Sequence, residues 1–358
     1  MNPVDFLKAL IATPSVSGSE EATADLIAST LESEGVKTNR LFNNIWAVQL
    51  CYDSAKPTLL LNSHHDTVKP SPAYTRDPFI PEVSSDGRLY GLGSNDAGAS
   101  LVCLAATFCR FYNTVLPFNL VLALTAMEEN MGPEGNRAML PHLYSLGIKP
   151  DMGLVGEPTS MQPAVGERGL VVLDGKALGV SGHAARGEGV NALYLAIEDI
   201  ERLRNYKFDK QSELLGPISL TVTQIEAGTQ HNVVPAECRF VVDVRTTDAY
   251  TNEQTVEILQ SVCRSELKPR STRIQASAID SSHPMVRAAV SAGGAPYVSP
   301  TTSDMALMHD FPTLKMGPGK SERSHTADEF VMLSEIEEGI EGYRKFIEEL
   351  AKIYSRQN

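Results

Sequence analysis

Two largely apolar runs, PTLLLN at 57–62 and FNLVLALTA at 118–126, the second interrupted by Asn119 and Thr125, constrain this chain more than any other feature. A strand with one wet face alternates apolar and polar residues. These runs do not alternate, so both of their faces must be covered by protein. Helical periodicity supplies the cover. VDFLKALIA, SEEATADLIASTLESEG, ASLVCLAATFCRFY and GNRAMLPHLYSLG read as helices, the second opened by a cap at Ser17 or Ser19 and closed by Gly35. NIWAVQL and DMGLVG read as further strands. Strands separated by helices predict an α/β fold with a mostly parallel sheet.

The pattern changes from about Arg168. LVVLDGKALGV, a helix VNALYLAIEDIERLRNY, two strands ISLTVTQIEA and CRFVVDVRT, a helix TNEQTVEILQSVCRS and a strand RIQASAI follow in turn. That β-α-β-β-α-β order is the ferredoxin-like split. After Pro284 the helix–strand alternation returns and ends in a long helix, about Ser334 to Tyr354. Ile336, Ile340, Tyr343 and Phe346 or Ile347 lie on its apolar side. The expected organisation is therefore nested: residues 1–164 and 280–358 form one α/β domain, and 165–279 form an inserted α+β domain. A length of 358 residues agrees with two domains.

Composition excludes several function classes. The chain has 44 acidic and 31 basic residues, a formal charge of −13, which disfavours binding to a phosphate backbone or an anionic membrane. Hydrophobic residues at 42% with 21% charged are those of a core-forming protein and exclude intrinsic disorder. No apolar stretch reaches the roughly 18 residues of a membrane span, and the MNPVDFLKAL start lacks the basic region and apolar core of a signal peptide. Five cysteines, odd in number and without a C-x-x-C pair, predict reduced thiols in a cytoplasmic protein.

Five short motifs carry chemistry. LLLNSHHDTV places His64 and Asp66 at the end of a buried strand, where open α/β sheets hold ligands. An imidazole can bind metal while the Asp two residues on orients it; a polar strand-to-loop turn would use the same letters. In GRLYGLGSNDAGAS, Asp96 occupies the third glycine position of a nucleotide fingerprint, where a carboxylate would repel pyrophosphate. Asp96 can then be a ligand or simply a helix cap. LALTAMEEN ends an apolar strand with Glu128 and Glu129, either two acids sharing a cation or a strand reaching solvent. LVGEPT adds Glu157. GPGKSERSHTADEF adds His325, and fails as a phosphate loop because position 314 is Leu314. Taken together, His64, Asp96, Glu129, Glu157 and His325 suit zinc or another first-row divalent ion. Two metals about 3.5 Å apart fit if one carboxylate bridges, which leaves Glu128 as a general base.

These motifs resemble the di-zinc metallopeptidase and aminoacylase family that contains acetylornithine deacetylase, succinyl-diaminopimelate desuccinylase and glutamate-releasing carboxypeptidases. The resemblance runs from the first helix to the last. It implies that His64, Asp96, Glu129, Glu157 and His325 hold two Zn2+ per subunit, with Co2+ or Mn2+ as substitutes. Asp96 bridges, Asp66 orients His64, and Glu128 is the catalytic base. It also implies that the inserted domain is a lid and dimerisation domain. His183, in SGHAA, then reaches the partner subunit's site in a homodimer, and Asn232 and Arg245 contact a small N-acyl amino acid. The implied reaction is hydrolysis of a linear amide. The subgroup resembled most, through VGEPT and the compact lid, removes acetyl or succinyl from N-acyl-L-ornithine in arginine biosynthesis. Succinyl-diaminopimelate, an N-acyl-lysine and a dipeptide are the alternative substrates. Ser63 in place of the usual glycine, and NDAGA in place of DMKGG, depart from the family pattern without removing a ligand. A non-catalytic binding protein on the same fold would lack a ligand or base, and none is missing. A serine hydrolase would need G-x-S-x-G, which is absent.

Overall fold

The computed structural model describes residues 1–356, and the chain divides into two compact units. The first comprises residues 1–165, 279–297 and 303 onward; the second comprises 166–278 and 298–302.

The first unit is built on a mixed sheet. Its strands lie in the spatial order Asn39–Leu41, Asn44–Val48, Asn119–Thr125, Thr58–His64, Met152–Val155 and Thr313–Lys315. The central pairings are parallel: Thr58–His64 runs beside Asn119–Thr125 and beside Met152–Val155, and Thr313–Lys315 runs beside Met152–Val155. Asn44–Val48 joins antiparallel at one side.

Every residue of Thr58–His64 and Asn119–Thr125 is buried, and alternate side chains enter different cores. Leu59, Leu61, Leu120, Leu122 and Leu124 pack with Leu7, Ile27, Leu104, Phe108, Tyr343 and Phe346 from the helices Pro3–Ile11, Glu21–Ser33, Ala99–Phe111 and Leu333–Ser355. Leu60, Val121 and Ala123 pack on the other face with Met139, Leu143, Met305 and Phe311. The absence of alternation in the two apolar runs thus has a direct cause.

The register also positions chemistry. His64 pairs with Thr125 at the last rung of two parallel strands. The chain after His64, after Thr125 and after Val155 therefore leaves the sheet at one end.

One expected cap is not used as a cap. The second helix starts at Glu21 after Glu20, with no side-chain cap bond. The Ser17 hydroxyl instead donates to Asp66 Oδ2 at 2.5 Å. Gly35 does end the helix, at φ +80°.

The second unit is a four-stranded antiparallel sheet in the order Ser219–Ala227, Glu237–Thr246, Gly169–Leu178, Glu266–Pro269. The helices Ala192–Asn205 and Asn252–Val262 supply Ala196, Leu203 and Leu259 to a core with Val171, Leu173, Phe240, Val242 and Val244. The strand order is that of the ferredoxin-like split. Its fourth strand, however, is Glu266–Pro269 and not RIQASAI. That stretch makes only an isolated bridge, Ile274 to Leu170, and a two-residue pairing of Ser277–Ala278 with Glu167 and Gly166. No helix among the described residues is long and apolar enough to cross a membrane.

Candidate metal centre

The strand ends and one late loop of the first unit bring His64, Asp96, Glu128, Glu129, Glu157 and His325 together. His64 is buried. Its Nδ1 lies 3.0 Å from the Asp66 carbonyl, which fixes the ring and turns Nε2 toward the acids. Nε2 is 3.3 Å from Asp96 Oδ1, 3.6 Å from Glu157 Oε1 and 4.0 Å from Glu128 Oε2. His325 Nε2 is 2.9 Å from Glu129 Oε2 and 3.6 Å from Asp96 Oδ2. The two oxygens of Asp96 thus face two different histidines. Ligand atoms of His64, Asp96 and Glu129 all lie within 4.8 Å of one another.

Asp66 does more than face His64. Its carboxylate is 3.4 Å from Nδ1, but it also accepts the amides of Glu128 at 2.9 Å and Glu129 at 3.1 Å. It therefore sets the turn that carries both glutamates, a turn entered through Met127 at φ +58°.

Asp96 is not a helix cap. It has extended dihedrals inside a short turn, Ser94–Gly98, and makes no capping bond; its peptide to Ala97 is cis. Gly93, at φ +74°, and Gly98, where a Cβ would lie 2.4 Å from the Gly93 carbonyl, are the glycines this turn requires. The GPGKS stretch serves the same loop. The Asn95 side chain donates to the Lys320 carbonyl at 3.0 Å and accepts the Lys320 amide at 2.9 Å.

The electrostatics are those of crowded acids short of cations. Burial pushes Glu128 well above the usual carboxylate range, with Glu157, Asp304 and Glu129 adding to the effect against the pull of His64. Burial and the Asp96 charge raise Glu157 to about 8. His325 is raised to about 9, chiefly by its hydrogen bond to Glu129. His64 is raised as well: burial opposes this, but Asp66, Asp96, Glu128 and Glu157 outweigh it. Such a cluster is costly without compensating positive charge. Divalent cations would invert that logic, and two imidazoles with mixed carboxylates form a donor set for first-row divalent ions. The residues present fit metal.

Two acids here escape sequence reading. Asp304 is buried and accepts from Thr125 Oγ1 at 3.0 Å; burial raises it to about 7. Glu329 is buried beneath the Asp96 loop. Both occupy polar stretches, TTSD and HTADEF, that read as surface.

The three remaining site residues lie in the second unit. His183 is exposed and its Nδ1 accepts the Ala185 amide at 3.2 Å. It pairs with Val233, next to Asn232, whose carbonyl accepts the Ala184 amide. His183 and Asn232 are thus neighbours on one ladder. Arg245 lies on a different strand, its guanidinium held by Asp243 at 2.8 and 3.1 Å.

The fold and the clustered His and carboxylate residues define a candidate metal centre, and comparison with known proteins makes the chain a metal-dependent amide hydrolase. The chain belongs to peptidase family M20/M25/M40, whose pattern matches residues 60–349. It is 28% identical over 274 residues, 72% of this chain and 68% of the relative, to succinyl-diaminopimelate desuccinylase 2 of Ruegeria sp. (strain TM1040). Another desuccinylase, from Cereibacter sphaeroides (strain KD131 / KCTC 12085), is 30% identical over 277 residues, 73% of this chain and 72% of the relative. Among solved structures, aminopeptidase PepT from Bacillus cereus ATCC 10987 superposes with a TM-score of 0.78 at 17% identity, covering 98% of each chain. A dinuclear metal-binding peptidase of the M20 family from Bacillus subtilis does so with a TM-score of 0.72 at 15% identity, again covering 98% of each chain.

Proposed function

We propose that this chain is a zinc-dependent deacylase that hydrolyses the amide of a small N-acyl diamino acid. The observation that carries the reading is the placement of Asp96, one oxygen toward His64 and the other toward His325, with Glu128 beside His64. His64 and Glu157 would hold one ion, Glu129 and His325 a second, and Asp96 both. Bound zinc lowers the pKa of water and polarises a carbonyl.

The chain's own residues do the rest. Glu128, beside His64, takes a proton from the attacking water as its oxygen bonds to the acyl carbon. Glu128 then delivers that proton to the amide nitrogen as the C–N bond breaks. The products are a free carboxylate and an amine. Asp66 keeps both glutamates in place. His183 of the partner subunit would donate to the carbonyl oxygen in a homodimer. Support for the dimer is the exposed apolar surface of the second unit, with Tyr194, Ile197 and Val190 on or beside one helix. Asn232 and Arg245 would meet the substrate, Arg245 gripping a carboxylate once released from Asp243.

For the substrate we favour N-acyl-L-ornithine, acetyl or succinyl, in arginine biosynthesis. The relatives named for succinyl-diaminopimelate favour the succinyl group and keep succinyl-diaminopimelate, in lysine biosynthesis, as the second reading. A cytoplasmic location is supported by five cysteines that are all free thiols. The test is hydrolysis of acetyl- and succinyl-ornithine, acyl-lysine, succinyl-diaminopimelate and dipeptides by the zinc-loaded protein. Succinylornithine should be cleaved fastest. Faster cleavage of succinyl-diaminopimelate would replace the first substrate by the second, and no cleavage of any would defeat the deacylase reading.

A further inference from the structure

Glu329 has no part in the chemistry above, yet it is tied to the centre more tightly than any other outlying acid. It is 2% exposed. Its Oε1 accepts the amides of Asn95 at 2.8 Å and Asp96 at 2.9 Å, and its Oε2 accepts the amide of Gly93 at 3.1 Å. Its carbonyl accepts the Gly91 amide at 3.0 Å. Four amides of the Gly91–Asp96 turn therefore end on one residue. The Gly91 bond extends the pairing of Tyr90 with Phe330, but Gly93 is left-handed and Asp96 extended, so no regular helix or strand supplies the other three amides with partners.

The preceding residue makes a useful contrast. Asp328 accepts the amides of Thr75 at 2.9 Å and Arg76 at 3.1 Å and the Thr75 hydroxyl at 2.5 Å. It uses the same chemistry, but on Thr75 and Arg76 of another loop and not on the Asp96 turn.

We propose that Glu329 is a positioning residue: by holding the Asp96 amide and its neighbours, it sets the carboxylate that faces both histidines. The inference rests on the two-metal reading above. Because Asp96 would serve both ions, disturbing Glu329 weakens both together.

The test is titration of the metal-stripped full chain with Zn2+ against a chromophoric chelator, beside steady-state kinetics. In Glu329→Gln an amide NH2 would face one of the backbone N–H donors. Both zinc affinities should fall by about 10–100-fold, and kcat should fall while KM changes by less than about threefold. Glu329→Asp keeps the carboxyl group at shorter reach and should recover part of the loss; it also serves as the readout if the Gln variant does not fold. Asp328→Asn should lower the melting temperature but leave both zinc affinities within about threefold, because its bonds go to another loop. Unchanged zinc affinities in Glu329→Gln and Glu329→Asp, or equal losses in Asp328→Asn, would overturn the inference and leave Glu329 a loop anchor. Wild-type protein that binds no zinc would instead defeat the deacylase reading on which it rests.

Discussion

Each unit of this protein buries carboxylates, and they do so on opposite terms. In the second unit, Asp199 is fully buried on the helix Ala192–Asn205. It accepts the amides of Arg264 at 3.1 Å and Ser265 at 2.7 Å, the Ser265 hydroxyl at 2.6 Å and Arg202 Nη1 at 2.6 Å. Burial would raise this acid, but those donors outweigh burial and hold it below the usual range. In the first unit Glu128 and Glu157 are raised, because burial is reinforced there by neighbouring acids rather than offset by donors. One region satisfies its buried charge from within the chain. The other leaves it for something the chain does not supply. A buried acid alone does not mark a functional site; a buried acid whose charge is left unsatisfied does.

The strongest challenge to this contrast is Glu128→Gln. Turnover should fall by about 10³-fold, with zinc content remaining near two per chain. Substantial remaining activity would remove Glu128 as the base. Next is metal removal. Dialysis against a chelator should leave roughly 1% of activity or less, restored by Zn2+; activity that survives complete stripping, checked by elemental analysis, would break the metal side of the contrast.

A smaller effect is expected from Asp199→Asn, which strands amide and hydroxyl donors in the second unit. Urea unfolding should show a loss of about 3 kcal/mol, with zinc content unchanged. An unaltered midpoint would mean that Asp199 is not the anchor described.

The smallest effect is in pH. Glu157, at about 8, and His325, at about 9, are both raised. Their contributions to the metal-free fold are full below their unfolded values, near 4.3 and 6.5, and are lost as pH rises through 8 and 9. Asp199 is lowered, so its contribution is present above about 4 and lost as pH falls below that. From pH 6.5 to 9 the metal-free protein should therefore lose roughly 2–3 kcal/mol, allowing for solvent screening at half-exposed His325. The zinc-loaded protein should lose less. A metal-free protein that gains stability over this range would reverse the assigned sign.

What could be read from the letters follows physical rules. Leu59, Leu60 and Leu61 announced a strand covered on both sides because no wet strand can be uniformly apolar. Glu128, Glu129 and Glu157 stood out because acids directly follow apolar strands. The fourth strand of the second unit was misplaced because ELKP offers a single apolar residue, Leu267, at a sheet edge, where little burial is required. Ser17 reads as a cap because its partner, Asp66, is 49 residues away, beyond any local signal. Glu329 and Asp304 were missed for the same reason. Nothing in a polar stretch tells a solvated acid from one folded under a distant loop.

The nested arrangement has a consequence for the order of folding. Glu129 and His325 are 196 residues apart, with the whole second unit between them. The helix Leu333–Ser355, which adds Tyr343 and Phe346 to the first core, comes later still. During synthesis the inserted unit emerges complete, with every strand of its sheet inside residues 169–269, while the first unit still lacks a flank of its core. Capture of metal by the whole ligand set is then a late event that reports a finished fold, and a stalled chain ending before residue 325 would expose acids that have no second histidine to meet.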